Sequence, residues 1–176
     1  ISQNAQLTFA TWANEVRKLS DAFALPLLDV AEAQYQALSN QIGEGAETTA
    51  FLGEAARLAV ISVSSLTDAT DALSSILNSY NLEVSKSREI SDQFFKAVEL
   101  GRFRLEDIAD TIGNVTAIAA ELGITFDEVA AALAVLTIKG NTAAQSQTFL
   151  RTLMLKIIRP SLNAAKFLNP KSIPRT

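Results

Sequence analysis

Apolar residues recur along most of this chain at spacings of three and four, the period of helices packed on one face. The first such segment runs from about residue 3 to residue 42. In it Phe9, Trp12, Val16, Leu19 and Phe23 share one stripe, and Leu27, Val30, Ala31, Tyr35, Leu38 and Ile42 share another. Pro26 stands between them and predicts a kink or break near Leu25, because proline lacks an amide donor and clashes with the preceding turn. Gly43-Glu44-Gly45 reads as a turn. A second helix is expected from Thr48 toward Ser64, with Phe51, Ala55, Leu58, Ala59 and Ser62 on its face. Thr67, followed by Asp68 and Asp71, reads as an N-cap with an acidic first turn. The helix it opens runs to Tyr80 and buries Ala69, Leu73, Ile76 and Leu77, and Asn81 suits a left-handed C-cap.

The punctuation then becomes regular. Ser87 is expected to cap a helix that carries Ile90, Phe94, Phe95 and Val98 and ends at Gly101. A short helix is predicted from Leu105 to Ile112, and Gly113-Asn114 separates it from Val115 to Leu122, which stops at Gly123. Thr125 and Glu128 form a capping box for a helix that ends at Gly140. Asn141 caps the last long helix, whose stripe is Phe149, Leu150, Leu153, Met154, Ile157 and Ile158. Pro160 ends it. Gly101, Gly123, Gly140 and Pro160 are thus the expected structural helix ends. Glu99-Leu100-Gly101 and Glu121-Leu122-Gly123 look alike, and we read them as two helix ends solved the same way rather than as a repeat.

The expected fold is all-α: a multi-helix bundle of short to medium helices, with a kinked N-terminal helix and a basic, irregular C-terminal tail. Three stretches are expected, a kinked helical segment over 1–45, a helical core over 46–160 and a linker or tail over 161–176. With 48% hydrophobic and 19% charged residues, the chain is too apolar to be disordered throughout. Four Pro and seven Gly are too few for a chain of tight β-turns. The longest apolar run, Val129 to Ile138, falls short of a membrane span. The chain opens on Ile1 and closes on Ile173-Pro174-Arg175-Thr176, so it is expected to be a piece of a longer one.

There is no His and no Cys, which removes a His-based triad, a Cys nucleophile, a disulfide framework and a Cys/His zinc site. No cofactor or metal is expected. Asp68, Asp71, Asp107, Asp110, Asp127 and Glu128 sit where capping and the helix dipole alone favour carboxylates, so none is read as catalytic. The aromatic residues Trp12, Phe94, Phe95, Phe103, Phe126 and Phe149 fall mostly on core stripes. Segment 105–122 mimics a helix-turn-helix, which leaves a helical adaptor or DNA-binding regulator as the alternative function. Its second helix has no Lys or Arg and one acid, Glu121, so it lacks the cations that phosphate affinity requires.

Charge is unevenly placed. Residues 1–100 carry 6 basic and 13 acidic side chains, whereas 101–176 carry 9 and 6. From Lys139 onward there are seven bases and no acid: Lys139, Arg151, Lys156, Arg159, Lys166, Lys171 and Arg175. These seven are the candidate partner-binding residues, for self-assembly or for an acidic surface.

The ordered set from about Phe51 to Ser161 resembles the core of phage tail tape measure proteins of the minor tail protein type. The residues that carry the resemblance are Leu66-Thr67-Asp68-Ala69-Thr70-Asp71-Ala72-Leu73, then Ser91 to Gly101, Leu105 to Ala109, Ala119 to Ile124, and Asp127 to Leu133. Lys139-Gly140, Leu150-Arg151 and Pro160-Ser161 complete it. Arg102-Phe103-Arg104 departs from the small cap, such as Thr, expected there. The resemblance implies a non-enzymatic structural virion protein in the tail tube lumen or baseplate. It implies roles in tail assembly, tail-length determination and genome ejection. Implied partners are copies of itself, as trimer or hexamer, and tail tube, distal tail or baseplate hub proteins. A small-molecule substrate or sequence-specific nucleic acid is not implied, and the host membrane enters only at ejection.

Overall fold

The computed structural model describes residues 3–43 and 45–159. Among them are eight α-helices and no strand: α1 Gln3–Phe23, α2 Leu27–Ser39, α3 Ala46–Ser62, α4 Leu66–Ser79, α5 Ser87–Leu100, α6 Ile112–Glu121, α7 Phe126–Ile138 and α8 Ala143–Ile158. The protein is an all-α multi-helix bundle. Two short 3-10 turns, Val84–Lys86 and Leu105–Asp107, lie between helices.

The helices form two layers. α1, α3, α5 and α7 lie side by side in that order, and α2, α4, α6 and α8 do the same. The layers touch through α1 with α2, α2 with α3, α3 with α4, α4 with α5, α6 with α7 and α7 with α8. Each helix therefore meets mainly its neighbours in chain order and those two positions along, as in a stack of helical hairpins. The two similar Glu-Leu-Gly ends close α5 and α6, one in each layer.

Alanines set the spacing between neighbouring helices of a layer. On α2 the buried residues are Val30, Ala33, Gln34 and Ala37, an i, i+3, i+4, i+7 face of small side chains that lets α4 approach. This corrects the expected stripe: Leu27, Tyr35 and Leu38 lie beside that face and are exposed. The bulk of the core comes from Phe51, Leu52, Leu58, Leu73, Ile76 and Leu77, all essentially without solvent contact. Each contributes about 1.5–3 kcal/mol of transfer free energy.

Pro26 produces a break rather than a kink. Ala24 turns left-handed at φ 52°, and Leu25 N–H still reaches back to Ser20 O at 3.1 Å. α3 ends at Val63, also left-handed at φ 54°, and the chain re-enters a helix three residues later, at Leu66. Asn81 is left-handed at φ 50°, and Leu82 N–H closes onto Leu77 O at 2.9 Å.

Several helix starts differ from expectation. Ser65, not Thr67, caps α4: its Oγ accepts from Asp68 N at 2.9 Å. Thr142, not Asn141, caps α8 in a box with Gln145, while the Asn141 amide donates to Leu136 O and closes α7. Ser87 begins α5 behind a 3-10 turn and donates its hydroxyl to Val84 O rather than capping. The predicted short helix 105–112 is only the 3-10 turn Leu105–Asp107, and Gly113 and Asn114 lie inside α6. Polar side chains near a helix start compete for the same free amides, and spacing alone does not rank neighbours.

Candidate interaction surfaces

Four of the six acidic positions expected to be structural, Asp68, Asp71, Asp107 and Glu128, are engaged with their own helix ends and neighbours. Asp68 receives Ser65 Oγ at 2.6 Å, and Asp107 receives Arg104 N at 2.8 Å. Asp71 accepts from Gln36 Nε2 at 2.8 Å and from Asn40 Nδ2 at 3.1 Å, which ties α2 to α4. Glu128 receives Thr125 N at 2.8 Å, and the Thr125 amide and hydroxyl hold its carboxyl below the usual range. Between α3 and α5, Arg57 bridges Glu54 at 2.9 Å and Asp92 at 2.6 Å, and its Nη2 also donates to Ser91 Oγ at 3.3 Å. The Asp92 hydrogen bond pushes the Arg57 pKa further up. No group of three or more acidic side chains among the described residues is placed to hold a metal ion. No helix among them is long and apolar enough to cross a membrane.

The helix-turn-helix resemblance does not survive in the geometry. α6 packs on α4 and α8 and buries Ile112, Val115, Thr116 and Ala119. Thr116 Oγ1 donates to Ser79 Oγ at 2.8 Å, which fixes α6 against α4.

Of the seven candidate bases, Lys139, Arg151, Lys156 and Arg159 are described, and all four are exposed. None of them forms an ion pair with a described residue. Lys139 closes α7, Arg151 and Lys156 lie on α8, and Arg159 closes α8. All four belong to the last helical hairpin, spread from the α7–α8 loop to the far end of α8. Lys166, Lys171, Arg175 and Pro160 lie outside the described residues.

The glycine positions behave differently from one another. Gly101 closes α5 at φ −83°. Gly123 and Gly140 follow α6 and α7 at φ +71° and +103°, where a side chain is strained.

The periodicity did not reveal which apolar residues face solvent. Phe149, expected in the core, is 53% exposed, and Leu153 and Ile157 follow it at four-residue steps at 57% and 50%. Only Met154 from the predicted α8 stripe is buried, and Leu150 is partly so. Phe94, Phe103 and Phe126 are buried as expected, with Phe94 and Phe126 stacked at 5.9 Å between α5 and α7. At the opposite end of the stack Leu27 and Leu28, 49% and 76% exposed, border an apolar groove of about 350 Å³ with Trp12 and Val16. Exposed apolar residues that run together on one face mark contact surfaces.

The fold is an all-α stack of helical hairpins with exposed apolar residues at both ends. The sequence pattern of the phage-related minor tail proteins matches residues 13–169, and the chain belongs to that family. Over 104 residues, 59% of its length, it is also 25% identical to the tape measure protein of Pneumococcus phage Dp-1. That stretch spans 9% of the relative's length. No solved structure matches the chain.

Proposed function

We propose that this chain is a folded segment of a tape measure protein and acts as a structural, non-catalytic part of a phage tail, in the tube lumen or baseplate. The observation that carries this reading is the similarity to a named tape measure protein within a chain of the minor tail family. The segment would serve tail assembly, and through it tail-length determination and genome ejection. Copies would associate, as trimer or hexamer, and meet tail tube, distal tail or baseplate hub proteins. The basic set Lys139, Arg151, Lys156, Arg159, Lys166, Lys171 and Arg175 would contact acidic surfaces of those partners. Residues 46–160 would form the working core, 1–45 a helical lead-in and 161–176 a basic linker.

A continuous helix of this length would span roughly 260 Å. Helices folded back in two layers favour an anchoring role over an extended ruler. The test is an in-frame deletion of residues 46–160 from the intact gene, read as tail length by electron microscopy. Normal-length tails or no tails are expected. Shortening by about 1.5 Å per deleted residue would make this region part of the ruler instead.

A further inference from the structure

A stack of helical hairpins has two ends, and an end with an apolar outer face is incomplete unless something covers it. Here both ends are apolar. At one, α1 and α2 present the groove of Trp12, Val16, Leu27 and Leu28. At the other, α8 leaves Phe149, Leu153 and Ile157 exposed, and α7 leaves Val135 and Ile138 exposed.

The net charges of the two ends are opposite. α1 and α2 together carry Glu15, Asp21, Asp29 and Glu32 against Arg17 and Lys18, with Arg17 in the wall of the groove. α7, α8 and their C-caps carry Lys139, Arg151, Lys156 and Arg159 against Asp127 and Glu128. Like ends would bring like charges together, whereas unlike ends bring opposite charges around apolar faces.

We infer that the occupant is a second copy of this chain, docked head to tail, with the α1–α2 end of one copy against the α7–α8 end of the next. Such a contact is heterologous, so it closes a ring or propagates a filament. The inference rests on the self-association in the proposed function and names the surface that carries it.

The test uses two variants of the 176-residue chain, Leu28→Glu and Leu153→Glu. Both positions are exposed, so both variants fold, as a thermal melt of each would verify. Sedimentation velocity is run on each chain alone and on an equal mixture. The unaltered chain should form oligomers that grow with concentration and weaken with salt. Each variant alone should be monomeric, because one of its ends is blocked. The mixture should form one-to-one dimers, because each variant keeps the end the other has lost. Oligomers that survive both substitutions would overturn the head-to-tail contact while leaving self-association standing. A monomeric mixture from an oligomeric parent would also overturn it. A parent that stays monomeric would overturn self-association itself. Association that begins only when residues 160–176 are removed would make that segment the occupant and overturn the second copy.

Discussion

The ring of Phe103 occupies the space where a side chain on Gly101 would begin. A Cβ built on Gly101 would lie 2.5 Å from Phe103 Cε1 and 2.7 Å from Ala97 O. Gly101 is therefore a close-approach glycine. It lets the chain fold Phe103 back under the end of α5, where the ring is buried. Next to it, Arg102 N–H donates to Thr137 Oγ1 at 3.1 Å, which holds the turn against α7. Gly101→Ala should destabilise the fold by about 1–3 kcal/mol, as overpacking does. Urea denaturation checks this, and an unchanged midpoint would show that the ring moves aside freely.

The start of α4 offers a sharper comparison. Ser65 exchanges hydrogen bonds with Asp68, whereas Thr67 sits inside the first turn. Ser65→Ala should cost about 1 kcal/mol, the usual worth of an N-cap. Thr67→Ala should cost little, since alanine is the better helix former. Equal losses in thermal unfolding would contradict the assigned cap.

How far the sequence could be read differs by feature. Most helix bodies, though not the helix expected over 105–112, followed from spacing, because residues such as Phe51, Ala55, Leu58 and Ala59 repeat a face that burial enforces. The capping box of Thr125 and Glu128 was legible because both partners lie within four residues. Two kinds of feature were not legible. Where candidate caps adjoin, as with Asn141 and Thr142, the choice depends on backbone angles that composition does not encode. Where a helix has two apolar stripes, as α2 does, the buried one is set by its neighbour. Ala33 and Ala37 are inside because α4 comes close, and Tyr35 is left 71% exposed. The surfaces at the stack ends share that blindness: Phe149 and Leu153 look like core until α8 is seen to leave them exposed among the described residues.

Tyr80 gives a pH-dependent prediction. Its hydroxyl donates to Ile124 O at 3.0 Å across the α4–α6 layer. Burial first, then the charge of Glu128, pushes its pKa up from 10.0 to about 12. The folded state thus holds this proton more tightly than the unfolded state. The stabilisation is complete below the unfolded value and is lost as pH rises through the folded one. Thermal melts should fall over that alkaline window. Tyr80→Phe should be less stable near neutrality by about 1 kcal/mol for the lost hydrogen bond, with a shallower alkaline decline. A parallel decline in both proteins would assign the effect to other groups.

The apolar residues of α8 should separate stability from association. Met154 is 4% exposed and packs in the core, so Met154→Ala should cost about 2–5 kcal/mol. Phe149→Ser and Ile157→Ser remove side chains that are half in solvent, and each should change stability by about 0.5 kcal/mol or less. Calorimetry of the three variants at low concentration checks the order. If Phe149→Ser unfolds the protein as readily as Met154→Ala does, then Phe149 is held by the bundle itself and is no part of a contact surface.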